Sequence, residues 1–203
     1  PTPCPHHGVV TASRPPHHAE RVRRIGLLGA ESTGKSTLAR ELGEVLPGCV
    51  VGEALRDFVH KHGRTPQVNE QQALLHEQAA REDDVAAECT HTWLIADPAP
   101  LMTAIYSLEY FDDGSLVSLG IAHARNYDLL VWCGTDIPWT PDPGQRDGGD
   151  RRSSTDATIA RVVRAELTAA GIDVVHVTGS VQERVAAVWE WLAWQHGHSH
   201  PAT

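Results

Sequence analysis

Short apolar runs alternate with segments of helical spacing over most of the chain. The runs are RIGLLG (24–29), CVVGE (49–53), TWLIAD (92–97), DLLVWC (128–133) and DVVHVTG (173–179). Their length predicts strands, and their near-continuous apolar character predicts strands covered on both faces. After the first run, Leu38, Leu42, Val45 and Leu46 recur at helical spacing over 35–46, and Pro47-Gly48 ends that element. Residues 66–90, rich in Gln, Glu and Ala, predict an exposed or half-exposed helix, and 100–111 and 115–126 predict two more. Ile159, Val162, Val163, Leu167 and Ala170 share a face of a helix over 155–170 that Gly171 caps. Val181, Val185, Val188, Trp189 and Leu192 line a last helix. Trp189, Trp191 and Trp194 do not fit one face of it, so at least one is expected at the surface or against a partner. Strands alternating with helices imply an α/β fold whose parallel sheet is covered on both sides.

Composition narrows the class. The 203 residues suffice for one domain with a real core. A net charge of −9 argues against a general nucleic-acid or anionic-membrane binder. No apolar run approaches the roughly 18 residues of a membrane helix. Residues 1–22, rich in Pro and His and without the apolar stretch of a signal peptide, are expected to form a disordered leader, and 197–203 a disordered tail. The domain is expected over 23–196. Cys4, Cys49, Cys89 and Cys133 are dispersed with no CxxC pair, and are expected as free thiols in a reducing cytoplasm.

The chemistry begins at GAESTGKST (29–37), which fits G-x-x-x-x-G-K-[ST] directly after a strand and directly before a helix. Gly29 and Gly34 let the backbone curl so that the N–H groups of Ser32, Thr33 and their neighbours face phosphate oxygens. The helix that follows adds its N-terminal N–H groups. Lys35 would reach the β- and γ-phosphates of ATP, and the Ser36 hydroxyl would ligand Mg²⁺, with Thr37 completing the loop. Asp97, at the end of WLIAD, is a candidate second magnesium anchor. It also suits an N-cap, with Pro98 as first helical residue.

The loop does not say what the nucleotide is for. No N-K-x-D is present to read guanine. A mechanical ATPase is usually larger. A small-molecule kinase needs an acceptor pocket and a closing lid, and DIPWTPDPGQRDGGDRR (136–152) suits the lid. Arg146, Arg151 and Arg152 would neutralise charge on the transferring phosphoryl, and closure over about 138–153 would exclude water. The same arginines also suit surface pairing with Asp142, Asp147 and Asp150.

Four blocks together resemble the ribosylnicotinamide kinase family, the P-loop kinase domain of bifunctional NAD-biosynthesis regulators. GAESTGKSTL (29–38) resembles its phosphate loop, including Glu31. GEALRDFV (52–59) resembles its E-x-x-R-E/D-aromatic segment. IADPAPLMTAIYSLEYF (95–111) resembles D-T-D-P-x-x-T-x-x-Y-S-x-x-Y-F, and YDLLVWCGTDIPWTPDPGQRDGGDRR (127–152) resembles Y-D-L…D-I-P-W-x-x-D-G-x-R…R-R. The resemblance implies a three-layer P-loop kinase fold with a five-stranded parallel sheet in the order 2-3-1-4-5. It implies transfer of phosphate from ATP, with Mg²⁺, to the 5′-hydroxyl of nicotinamide riboside. Glu53, Arg56, Asp57 and Phe58 would then face the riboside. Trp139 would stack on a ring or anchor the lid's root, and Tyr106, with Tyr110, would face the acceptor or the core. Asp97 is favoured over Glu53 as the group that takes the hydroxyl proton.

Two departures stand out. The family's D-T-D is Asp97-Pro98-Ala99 here, which loses one carboxylate, and the lid carries one extra residue before Arg146. With about 22 residues ahead of the first strand, a kinase unit without operator-binding or adenylyltransferase domains is expected. Its partner is a small-molecule acceptor, not nucleic acid or membrane.

Overall fold

The computed structural model describes residues 21–139 and 151–198, with the side chains of 196–198 left aside. Five parallel strands form one sheet in the order β2-β3-β1-β4-β5. They are β1 (Arg23–Leu28), β2 (Gly48–Val51), β3 (Trp93–Ala96), β4 (Leu129–Cys133) and β5 (Val174–Val177). The sheet order is the one expected.

The strands' period of two separates two cores. Ile25 and Leu27 of β1, Trp93 and Ile95 of β3, and Leu129 and Val131 of β4 pack with α1 (Lys35–Val45) and α7 (Val181–His198). Leu28, Leu94, Ala96 and Leu130 point the other way. They pack with α3 (Gln71–Glu88), α4 (Leu101–Phe111), α5 (Val117–Ala124) and α6 (Arg152–Val162). The three central strands β1, β3 and β4 are thus apolar on both faces, which is why their runs read as continuous.

Several boundaries moved. GEALRDFV opens a helix, α2 (Ala54–His62), where the sequence showed only a motif; His60, Lys61 and His62 in its last turn and Gly63 at φ 64° end it. The helix expected from 155 starts at Arg152 and passes into a π-helical turn, Val163–Leu167. Val45 is exposed, so the buried stripe of α1 is Leu38, Ala39 and Leu42, with Leu46 just beyond. Trp189 leaves the expected stripe and is 50% exposed, as is Trp194 at 55%, while Trp191 packs on the core. The last helix runs to His198.

The cysteine expectation is corrected. Cys49 and Cys89 form a disulfide with Cα atoms 6.1 Å apart, and Cys133 is the free, buried cysteine among the described residues. The sequence separation of 40 residues hid the pair. β2 starts and α3 ends at the same edge of the sheet, because β3 follows α3 and pairs with β2 in the register Cys49↔Leu94. This removes the ground on which a reducing compartment was expected. No described helix is long and apolar enough to cross a membrane.

Candidate functional site

Central strand β1 runs into the phosphate loop. A Cβ on Gly29 would lie 2.6 Å from Thr33 Oγ1 and 3.1 Å from the Cys133 carbonyl oxygen, so only glycine fits there. Ser32 and Gly34 take positive φ angles of 53° and 79°. Thr33 is fully buried and its hydroxyl donates to the Ala30 carbonyl at 2.8 Å, which tightens the curl. Gly34 occupies the N-cap position of α1, with no side-chain cap and no acid in the first turn. No capping side chain or first-turn acid competes for the first N–H groups of α1, which suits an anion site. Lys35 Nζ folds back and donates to the Gly29 and Ala30 carbonyls at 2.8 and 2.7 Å. Ser36 and Thr37 are exposed at the head of the helix.

Two residues outside the expected set hold this loop. Arg184 of α7 is 2% exposed. Its Nη1 donates to the Thr33 carbonyl at 2.6 Å, its Nε to Gly179 at 3.0 Å, and its Nη2 to Asp136 at 2.8 Å. Asp136 also accepts from the Gly179 N–H at 2.6 Å. Burial works against the Asp136 carboxylate, but that N–H and the Arg184 guanidinium hold it below its usual value. The TGS turn (178–180) after β5 is thereby fixed to both the phosphate loop and the start of the 136–152 stretch. The sequence held one signal: Arg184 lies at an apolar-stripe position between Val181, Val185 and Val188.

Arg152, at the start of α6, donates from Nη2 to the Ser32 carbonyl at 3.2 Å, and its buried Nε has no partner. Burial lowers its pKa. Arg151 instead lies over the Tyr110 ring, 4.9 Å from the centroid. Arg146 and residues 140–150 lie outside the described residues, and the lid expectation falls mostly there. Trp139, at their border, is half-buried.

Asp97 is 8% exposed. The Gly26↔Ala96 register sets it beside the end of β1, and its N–H donates to Val51 of β2 at 2.9 Å. It is not a helix cap: α4 begins at Leu101 with Pro100 in the cap position. The buried Cys133 thiol is pushed up to about 11 by burial, and also feels Lys35, Arg184 and Asp97. That places these three charges around the end of β4. Ala99 is 1% exposed in the core, its N–H bonded to Leu27 at 3.0 Å. For magnesium, the donors present are the Asp97 carboxylate and the Ser36 hydroxyl. Among the described residues no group of three or more His, Cys, Asp or Glu is placed to hold a metal ion by itself. A hydroxyl and a carboxylate suit an ion that keeps waters and phosphate oxygens for its other positions.

Beside Asp97 runs a cleft walled by Glu53, Ala54 and Leu55, by Gln71, Leu74 and Gln78 of α3, and by Pro98, Met102, Thr103 and Tyr106. Glu53 and Tyr106 thus meet at one site. Arg56 and Asp57 are not among its walls: both are exposed, Arg56 pairing with Glu53 at 3.7 Å and Asp57 with Arg81 at 2.6 Å. Phe58 stacks on His62, ring centroids 4.2 Å apart. Asp57 and Phe58 share a motif with Glu53 but engage Arg81 and His62 instead of the cleft, while Arg56 touches it only through Glu53.

A family model described as an AAA domain matches residues 24–184. The chain belongs to this AAA-domain family. Among solved structures, this AAA-domain chain is similar to a NadR protein in complex with NR, at TM-score 0.67 and 17% identity over 85% of this chain and 52% of that one. A NadR protein in complex with NAD and AMP-PNP aligns over 90% of this chain and 52% of that one, at TM-score 0.67 and 17% identity. A deoxyadenosine kinase from M. mycoides aligns at TM-score 0.59 and 13% identity, over 84% of this chain and 99% of that one. A thymidylate kinase from Ehrlichia chaffeensis aligns at 0.62 and 12%, over 84% and 98%. At these identities the likeness is one of fold. The chain spans about half the length of the NadR chains. No curated protein matches its sequence.

Proposed function

We propose that this chain is an ATP-dependent small-molecule kinase that phosphorylates the 5′-hydroxyl of a nucleoside, with nicotinamide riboside first among the candidates and nicotinamide mononucleotide as product. One observation carries the reading. A phosphate loop headed by Lys35 stands beside an acid-ended strand, and a small cleft of mixed character, lined by Glu53, Pro98 and Tyr106 among others, lies just past that strand end. The family resemblance of residues 29–152 and the NadR-like fold support nicotinamide riboside in particular.

Gly29, Ser32, Thr33, Gly34, Lys35, Ser36 and Thr37 hold the triphosphate. The acceptor's 5′-oxygen attacks the γ-phosphorus, the bond to the β,γ-bridging oxygen breaks, and ADP leaves. Asp97 orients the hydroxyl and takes its proton, with Glu53 as the neighbouring carboxylate. Lys35 and Arg152 offset the charge on the transferring group, joined by Arg146 and Arg151 when the 138–153 segment closes. Magnesium on Ser36 and Asp97 would neutralise the phosphates. Excluding water over the cleft protects ATP from hydrolysis.

Membership of the AAA-domain family favours a second reading, a regulatory ATPase. Coupled ADP release across nicotinamide riboside, deoxyadenosine, thymidine and no acceptor separates the two. Acceptor-dependent ADP, lost in Lys35→Ala while the melting temperature holds, is expected. ADP formed equally without any acceptor would sink the kinase reading.

A further inference from the structure

Cys49 and Cys89, bridged across 40 residues, enclose the end of β2, all of α2 and all of α3. Glu53 lies inside that segment. Asp97 lies outside it, but its N–H donates to the Val51 carbonyl of β2 at 2.9 Å. Gln78 of α3 fixes the residues in between: its Oε1 accepts from the Ala54 N–H at 2.7 Å and its Nε2 donates to the Gly52 carbonyl at 3.2 Å. One carboxylate assigned to the acceptor is therefore carried by the bridged segment, and the other is bonded to it through the backbone. The phosphate loop, Arg152 and Arg184 all lie outside.

Apolar burial holds this segment weakly. Its buried apolar side chains are Val51, Ala54, Pro66, Leu74 and Leu75. Ala54 is the one buried residue of α2, and α3 buries Gln71, Gln78 and Glu82 beside its two leucines. Strand β2 stands at the sheet edge, bonded to β3 alone. Around the phosphate loop, by contrast, Ile25, Leu27, Leu28, Leu38, Ala39 and Leu42 are at most 1% exposed. Segments with little apolar burial open first, and a crosslink over a long loop restrains them most. Both bridged cysteines are half-buried, and Cys49 sits on the edge strand, so the sulfurs are within reach of a thiol reductant.

We propose that Cys49–Cys89 is a redox-controlled modification site: a dithiol reductant opens the bridge, the 49–89 segment loosens, and the acceptor side of the enzyme weakens while the ATP side holds. One thiolate of the reductant attacks a sulfur of the bridge, and its second thiol then closes the reductant's own disulfide. Two electrons and two protons pass from the reductant to Cys49 and Cys89, which leave as thiols. The effect on the acceptor rests on the kinase reading, which also sets the pair among the reducing thiols that accompany ATP in cells, where disulfides mostly sense redox state.

The test compares the full chain after oxidised glutathione and after dithiothreitol, with thiols counted by alkylation and mass. The bridge should form and open reversibly, and reduction should lower the melting temperature by about 10 °C. Amide hydrogen exchange over 49–62 and 71–89 should quicken on reduction while 29–42 is unchanged. With nicotinamide riboside, reduction should raise the acceptor KM severalfold and leave the KM for ATP in place, and oxidised glutathione should restore both states' difference. A bridge that does not form, exchange that is unchanged or quickens equally over 29–42, or an equal rise in both KM values overturns the proposal. The double variant Cys49→Ser, Cys89→Ser should match the reduced enzyme and ignore dithiothreitol; if it does not fold, the two states of wild type decide. If no nucleoside yields ADP, the kinase reading fails by itself, and alkylation with hydrogen exchange still decides for the redox site.

Discussion

Arg184 shows what one buried guanidinium does in this fold. Its donors satisfy carbonyls of the phosphate loop and the β5–α7 turn and pair with Asp136, so three segments share one charge. Its side chain is 3% exposed and that of Asp136 is 36%, so the pair is screened from water on one side only. Arg184→Met should cost about 3 kcal/mol, because it strands buried acceptors. In a protein of this size that is a fall in melting temperature of about 10 °C. A purely structural role would stop there. The positioning role adds a rise of about tenfold in the KM for ATP with the acceptor KM held, measured at a temperature where the variant is folded. Glycine spacing and Lys35 were plain in the sequence because phosphate binding by backbone demands those residue types at those offsets. Arg184 was not, because its partners lie as far as 151 residues away and are mostly carbonyls, which every residue carries.

At the scale of elements, α3 joins the two halves of the sheet through a buried pair. Tyr127, before β4, has its hydroxyl 2.7 Å from the Glu82 carboxylate of α3, and Arg24 of β1 approaches Glu82 to 3.9 Å. Burial pushes Glu82 from 4.5 up to about 8, against the lowering effects of the Tyr127 hydrogen bond and Arg24; Asp83 adds to the rise. The folded value is the higher one, so between about 4.5 and 8 the folded protein keeps a proton that the unfolded chain has released. Stability from this group is therefore lost as pH rises through that window. Glu82→Gln should flatten the decline in melting temperature between pH 5 and 8 and leave the protein more stable at pH 8; an unchanged slope would show that Glu82 is not its source. The start of α6 breaks an element-level rule in the other direction. Arg151 and Arg152 stand at a helix N-terminus, where the dipole disfavours cations. Such a conflict is tolerable where an anion is bound. The sequence placed this helix three residues late, because its apolar face begins only at Thr155 and Ile159, and it missed α2, whose one fully buried residue is Ala54.

At the scale of the molecule, the two sides of the phosphate loop are closed by distant segments, Arg184 from α7 and Arg152 from α6, the latter 120 residues from Ser32. Arg152→Ala should lower kcat by about 10³-fold with little change in the KM for ATP, if this arginine meets the transferring phosphoryl. Steady-state kinetics with the best acceptor of the panel measures it, and an equal loss in ATP affinity would mark it as a loop support instead. The sequence by itself determined the alternation of strands and helices, the phosphate loop and the acid-ended strand, since each follows from local periodicity or from a short motif with its own chemistry. The tertiary structure alone decided which motif residues meet. It brought Glu53 and Tyr106 to one cleft, paired Asp57 with Arg81 and Phe58 with His62, joined Cys49 to Cys89 and left Gln71 with an unmatched oxygen. The physical reason is that the direction of a side chain and the partners of a buried polar atom depend on helix rotation and strand register across segments far apart in the chain, which no local window contains.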